Sequence, residues 1–207
     1  DRKISPFGED GIKIVFPESV KIGLTQKEVV QLEKVQLDEP YQNHCRNLWL
    51  YSFYFGGMRV ADVLLSKWSD FQDGRLHYVM GKNDKAGSLK VSDKVLNILA
   101  QYKQQKSDES DLIFPELKRL DNLDDAFILK RTIAFSVSSI DKCLREHVAP
   151  AAGITKKLTM HIARHTFGNL SGDKIPIQML QKIYRHSDIK TTMGYQQNFI
   201  HQEADEA

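Results

Sequence analysis

From Thr25 onward the apolar positions fall mostly into helical spacing. Thr25-Gln26-Lys27-Glu28 is a capping box, in which the Thr25 hydroxyl and the Glu28 carboxylate satisfy backbone donors at a helix start. Val29, Leu32 and Val35 continue it as an apolar stripe. A second, strongly apolar helix is predicted from about Tyr41 to Phe55, stopping at Gly56-Gly57. Arg59 follows that stop and opens a short helix over Val60 to Leu65. The period then changes. Asp73-Gly74 signals a turn, Arg75 to Met80 reads as a strand, Gly81 to Gly87 as a polar turn, and Ser88 to Val91 as the partner strand. Ser92 is placed to cap a helix whose Val95, Ile98, Leu99 and Tyr102 recur at i, i+3, i+4, i+7. Ile113-Phe114-Pro115 is expected in a loop. Further helices are predicted near Ala134–His147, Thr159–Ser171 and Pro176–Tyr184, with Pro176 in a first turn. A last helix, capped by Ser187, carries Tyr195. The sum is a mainly α fold with a small antiparallel β-sheet (α+β).

At 207 residues the chain suits one domain, and its 41% hydrophobic content supplies a core. The expected organisation is a linker over residues 1–23, a domain over 24–195 and a tail over 196–207. Pro6, Pro17 and several glycines without helical period mark the first part, and a start at Asp1 rather than Met suggests a fragment of a longer protein. The longest apolar run, Leu48 to Met58, is too short to span a bilayer, and no signal-peptide core is visible, so no membrane partner is expected. Cys45 and Cys143 are isolated and give neither a disulfide framework nor a zinc-ligand set. They read as core residues of a reduced, cytoplasmic protein.

The net charge of +2 says little, but its distribution says more. Asp141 to Lys190 holds nine Lys/Arg against four Asp/Glu, with four of the seven histidines, while Lys106 to Asp125 holds seven acidic residues against three basic. Such a chain can hold its basic part against a polyanion and turn its acidic part to solvent. Within the basic part, Ala163, Phe167 and Leu170 form one face of a helix, and His161, Arg164, His165 and Gly168 form another. The first face packs; the second is presented.

Taken singly, each of these polar residues has an ordinary reading. Arg59 three residues ahead of Asp62 is a local ion pair, Lys82 and Lys85 are loop solubilisers, and Tyr195 is a core-edge tyrosine. Their order along the chain is not ordinary. Gly57-x-Arg59-x-x-Asp62, then Trp68-Ser69-Asp70, a hairpin lysine, His161-x-x-Arg164-His165, and finally His186 and Tyr195 resemble the tyrosine recombinase (phage integrase) family over roughly Leu24 to Tyr195.

That resemblance implies the tyrosine recombinase catalytic-domain fold, after a separate N-terminal DNA-binding domain. It places the two catalytic arginines on Arg59 and Arg164, the catalytic lysine on Lys82 with Lys85 as the alternative, and the histidines on His161 and His186. Tyr195 becomes the nucleophile, His165 a supporting residue, and Asp62 the group orienting the Arg59 helix. DNA contacts are expected from Arg59, Lys82, Lys85, Arg164, His165, Arg185 and Lys190. The chain departs from the family where Tyr184-Arg185-His186 replaces the usual Leu-Gly-His and Gln196-Gln197 follows the tyrosine.

The implied chemistry is attack by the Tyr195 hydroxyl on a DNA phosphodiester, leaving a 3′-phosphotyrosine and a free 5′-hydroxyl. Paired guanidinium forks suit it, because each binds two phosphate oxygens and stays charged. His161 would accept the tyrosine proton, Lys82 would protonate the leaving oxygen, and His186 would hydrogen-bond the phosphate. No metal and no cofactor are expected. The expected partners are double-stranded DNA and further copies of the chain, monomeric alone and tetrameric on DNA, with Phe199 and Ile200 of the tail docking on a neighbour. A phage or other mobile element is the expected source. Two alternatives stay open: a type I topoisomerase using the same residues, and a non-catalytic helix-turn-helix module reading DNA with the helix after Pro176.

Overall fold

The structure, a computed structural model, describes residues 23–80, 85–172 and 174–195, without the side chains of residues 78–80 and 85–87. The expected linker up to residue 22, Lys82, and the tail with Phe199 and Ile200 lie outside the described residues.

The helix α1 (Gln26–Lys34) begins on the expected capping box. Glu28 N donates to Thr25 Oγ1 at 3.2 Å, and Thr25 N donates to Glu28 Oε2 at 2.6 Å. Its Val29 and Leu32 are fully buried, while Val35 forms the C-cap. α2 (Pro40–Tyr54) is the central helix, with Cys45, Leu48, Trp49 and Tyr51 at 0% exposure, and it packs along α3, α4, α5 and α7. Gly56 and Gly57 end it at φ +68° and +71°, a region costly for residues with a Cβ. That turn lets the amides of Gly57 and Met58 both donate to the Ser52 carbonyl, at 2.9 and 3.0 Å. α3 (Val60–Leu64) follows, with Arg59 as its N-cap.

The sheet has three strands rather than a bare hairpin. β1 (Phe71–Gln72), β2 (Arg75–Met80) and β3 (Lys85–Lys90) form an antiparallel meander in that order. Pairing of Met80 with Lys85 starts β3 three residues before the expected Ser88, so Lys85 is a strand residue and only 81–84 connect. α4 (Asp93–Ala100) buries Val95, Ile98 and Leu99 as its period predicts. Ser92 is its N-cap but makes no side-chain capping hydrogen bond. The expected loop at Ile113-Phe114 is found, running into a short 3-10 turn at Pro115, and it is packed into the core, with Ile113 and Phe114 at 0% exposure.

α5 (Ala126–Cys143) starts eight residues before the predicted Ala134. Asp125 caps it, its Oδ1 accepting from the amides of Phe127 and Ile128 at 3.0 Å each. Its early turns expose Phe127 and Ile128 while Leu129 and Ile133 pack against the core, and Phe135 further along is exposed as well. A π-helical turn (Leu144–Val148) and a single turn, α6 (Ala149–Ala151), continue the rod. Cys45 and Cys143 are both free and buried, and burial raises the pKa of each thiol.

α7 (Met160–Ser171) has Thr159 as an N-cap that makes no side-chain hydrogen bond. The donor is satisfied from another helix: Asp141 Oδ1 accepts from Met160 N at 2.7 Å. Trp49 Nε1 donates to the Thr159 carbonyl at 3.1 Å, tying the same helix start to α2. α8 (Ile177–Tyr184) has Pro176 at its N-cap rather than inside its first turn. Residues 189–195 form α9. Its cap is Asp188, not Ser187, since Asp188 Oδ1 accepts from Lys190 N at 2.9 Å. The fold is thus mostly helical with one small antiparallel sheet, and no described helix is long and apolar enough to cross a membrane.

Candidate active site

Arg164 is the centre of the site, and it is not where its helix face predicts. The histidines of that face are reachable, His161 exposed and His165 half-buried, but Arg164 is 3% exposed and Gly168 is buried. The reason lies in what covers α7. Arg164 Nη1 donates to the Gly57 carbonyl and Nη2 to the Tyr184 carbonyl, both at 2.9 Å. The Tyr184 ring lies under the guanidinium, 3.7 Å from its carbon to the ring centroid, and the Tyr184 hydroxyl donates back to the Arg164 carbonyl. A Cβ on Gly57 would lie 2.7 Å from Arg164 Cα, so the glycine lets the α2–α3 turn approach α7 closely.

Among the described residues no carboxylate forms a salt bridge with Arg164. Burial depresses its pKa, the Tyr184 and Tyr195 phenols oppose that, and the charge of Arg59 adds to the depression. Two guanidiniums therefore feel each other's field in a place where one of them is almost wholly out of water. A buried cation without a counterion is costly, and an incoming anion relieves that cost. Arg59, the half-buried N-cap of α3, lies close enough for its charge to act on Arg164.

Three histidines and Tyr195 close round the same point. The His165 ring stacks on Tyr195 at 4.4 Å between centroids and 22° between planes, with His186 at 5.5 Å and His161 at 6.5 Å. His161 and His165 share an Nε2–Nε2 hydrogen bond of 3.0 Å. His165, expected only to support, is thus nearer the Tyr195 ring than the expected proton acceptor His161. His186 Nε2 lies 3.2 Å from Arg164 Nη2. The Arg164 guanidinium carbon is 5.7 Å from the Tyr195 ring centroid. Gly168 makes room for the helix that carries Tyr195: a Cβ there would meet Tyr195 Cβ at 2.9 Å.

The other predicted residues are placed less centrally. Arg185 is 7% exposed and stands in the left-handed region at φ +52°, as the C-cap of α8. That conformation accounts for the glycine usual at this place in the family pattern, and burial makes the side chain part of the interior rather than of a display face. Lys190 is exposed in the first turn of α9. The backbone of Lys85 opens β3 opposite Met80. Tyr184 was not singled out by its sequence pattern. Only its place two residues before His186, where leucine is usual, signals it.

Two buried-to-half-buried arginines, three imidazoles and a phenol suit phosphoryl chemistry by charge neutralisation and positioning. The model of the phage integrase family matches residues 23–201. The chain belongs to the phage integrase family. It is 26% identical over 183 residues to tyrosine recombinase XerA of Pyrococcus furiosus, covering 87% of this chain and 58% of that protein. It is 29% identical over 145 residues to tyrosine recombinase XerD of Staphylococcus saprophyticus, covering 69% of this chain and 46% of that protein. The chain thus spans about half the length of the relatives it matches. Among solved structures it resembles XerA recombinase, with a TM-score of 0.62 at 21% identity, covering 88% of this chain and 61% of that one. It also resembles XerH bound to a palindromic difH substrate in a post-cleavage complex, with a TM-score of 0.65 at 18% identity over 91% of this chain and 53% of that one. These likenesses carry the fold.

Proposed function

We propose that residues 24–195 are the catalytic domain of a site-specific DNA recombinase of a phage or other mobile element, cleaving and rejoining DNA through a 3′-phosphotyrosine on Tyr195. The observation that carries this reading is the Arg164 guanidinium, 3% exposed, without a carboxylate partner among the described residues and beside both Arg59 and the Tyr195 ring. A scissile phosphate supplies the missing anion, and the two arginines share its nonbridging oxygens.

The remaining groups divide the proton work. His161, linked to His165 through their Nε2 atoms, accepts the Tyr195 proton along a pair whose nearer ring already stacks on the nucleophile. His186 hydrogen-bonds the phosphate. Lys82, or Lys85, protonates the departing 5′-oxygen. The phosphotyrosine conserves the energy of the broken bond, so rejoining needs no nucleotide, and neither metal nor cofactor takes part. Lys190 and His165 add phosphate contacts, and Arg185 acts from the interior behind them. The chain is monomeric alone and assembles on DNA to a tetramer; a similar λ integrase tetramer bound to a Holliday junction, with a TM-score of 0.58, supports the tetramer. The setting is the cytoplasm, where Cys45 and Cys143 stay reduced.

The test offers the chain a randomised library of nicked duplexes in excess EDTA. A nick just beyond the scissile phosphate lets the cleaved fragment diffuse away, so covalent complexes accumulate. Recombination predicts sequence-enriched adducts that rejoin to an added 5′-hydroxyl strand. Adducts without sequence enrichment, with relaxation of supercoiled plasmid, would replace the reading with a topoisomerase. Tight sequence-specific binding without any adduct would replace it with a non-catalytic DNA-binding module.

A further inference from the structure

Thr192 has no part in the chemistry above, yet its side chain is 0% exposed beside the site. Its Oγ1 lies 3.0 Å from His186 Nδ1. At the other edge of that ring, Nε2 lies 3.2 Å from Arg164 Nη2. A guanidinium has hydrogen-bond donors and no acceptor. In this contact Nε2 therefore carries the lone pair, the ring proton sits on Nδ1, and Thr192 Oγ1 accepts it.

That tautomer cannot donate from Nε2 to a phosphate, which is the role proposed for His186. When a phosphate takes up the Arg164 donors, the ring must present N–H at Nε2. It does so as the neutral Nε2–H tautomer, with Nδ1 now accepting, or as imidazolium, with both nitrogens donating. A carboxylate or a carbonyl beside Nδ1 would only accept and would hold the proton there. A hydroxyl both donates and accepts, and it rotates to suit. Thr192 also sits three residues before Tyr195 on α9, so one helical turn carries both the nucleophile and the group that sets the ring.

We propose that Thr192 is the positioning residue for His186: its hydroxyl holds the ring in place while letting it pass from accepting an Arg164 hydrogen bond to donating one to phosphate. This rests on the reading of His186 as a phosphate ligand. The position follows the reading into sequence: the Thr191-Thr192 step ahead of Tyr195 puts one threonine inside, while Thr191 is exposed.

A buried threonine can also serve by shape alone, and two substitutions separate the possibilities. Thr192→Val keeps the shape and loses the hydroxyl. Thr192→Ser keeps the hydroxyl and loses a methyl group. Single-turnover cleavage is measured at saturating concentrations of a nicked duplex enriched from the library, alongside DNA affinity and thermal stability. We expect Thr192→Val to cleave roughly tenfold or more slowly, the equivalent of one well-placed hydrogen bond, with DNA affinity and melting temperature close to wild type. Thr192→Ser should cleave within about threefold of wild type even though its melting temperature falls. The reverse order, Val active and Ser impaired, overturns the proposal in favour of packing.

A second measurement does not depend on activity. Two-dimensional 15N–1H spectra of the DNA-free protein, with labelled histidine, report which ring nitrogen of His186 is protonated. The proposal predicts Nδ1–H in the wild type and a changed tautomer or exchange-broadened signal in Thr192→Val. Wild-type His186 with its proton on Nε2 overturns it. If the wild type forms no Tyr195-dependent adduct, the recombinase reading fails, and the spectra still decide the Thr192–His186 relation.

Discussion

Arg164 and Tyr184 hold each other at both ends. The Tyr184 ring lies 3.7 Å from the guanidinium carbon, its carbonyl accepts from Nη2 at 2.9 Å, and its hydroxyl donates to the Arg164 carbonyl. This pairing ties α8 to α7 and holds the buried guanidinium in place. It also fills with an aromatic ring a position where leucine is usual in the family pattern.

Replacing that ring separates its parts. Tyr184→Phe keeps the surface under the guanidinium but removes a buried hydrogen bond, so urea unfolding should show a loss of about 1 kcal/mol with cleavage reduced only a few-fold. Tyr184→Leu also removes the cation–π contact and should lose about 2 kcal/mol. Arg164→Lys should abolish cleavage in either background, because an ammonium cannot reproduce the planar fork. Equal stability of wild type and Tyr184→Leu would remove Tyr184 from the account.

Gly57 is a second support. Its φ of +71° and the 2.7 Å approach of an added Cβ to the Arg164 backbone leave no room for a side chain. Gly57→Ala should therefore cost about 2 kcal/mol or more and displace the Arg164 helix. Cleavage should fall further than Tyr184→Phe lowers it. An alanine variant as stable and active as wild type would mean that the close approach of the turn to α7 does not matter.

The start of α7 gives a pH prediction. Burial raises the Asp141 carboxyl pKa, and its hydrogen bond from Met160 N opposes the shift without cancelling it. A raised folded-state value means the folded protein binds the proton more tightly than the unfolded chain. Asp141's contribution is therefore fully present below the unfolded carboxyl value near 3.9 and is lost as pH rises through the raised folded value. Asp141→Asn keeps the acceptor for Met160 N and removes the charge. Relative to that variant, the wild type should lose stability as pH rises from about 4, then level off. Chemical denaturation at a series of pH values checks this, and a relative stability that grows with pH contradicts it. Asp141→Ala should be less stable than Asp141→Asn at every pH, since it leaves the helix donor without this acceptor.

The lysines can be told apart chemically. A sulfur in place of the bridging 5′-oxygen leaves as a thiolate that needs no proton, given a thiol pKa of about 8.5. The variant that loses the general acid should be strongly defective on ordinary DNA and largely rescued on the sulfur substrate. We expect that of Lys82→Ala, with little rescue for Arg59→Ala or Arg164→Ala. Rescue of Lys85→Ala alone would move the acid to the first residue of β3.

Much of this was readable from residues alone. Periodicity placed α1, α2, α4 and α7 because their buried faces repeat at helical spacing, and Val95, Ile98 and Leu99 are buried as predicted. The start of α5 was missed because exposed Phe127 and Ile128 sit among the inward Leu129 and Ile133, so the apolar residues trace no clean helical face. The added strand β1 is two residues long, too short for alternation to show. Within the site, Arg164, His161, His165, His186 and Tyr195, named together from residue type and order, lie close to one another in the structure. Sequence did not reveal that Arg164 is buried, since its cover comes from the Gly57 turn and from Tyr184, remote in the chain.

The central claim is that the Tyr195 oxygen becomes bonded to DNA. The most direct test is peptide mass spectrometry of the covalent complex after protease and nuclease digestion, run on the wild type and on Tyr195→Phe. The account predicts a nucleotide attached to Tyr195 through its 3′-phosphate in the wild type, and no adduct in the phenylalanine variant, whose DNA affinity stays within about threefold of wild type because only a hydroxyl is lost. An adduct on any other residue, or one that survives in Tyr195→Phe, would contradict it.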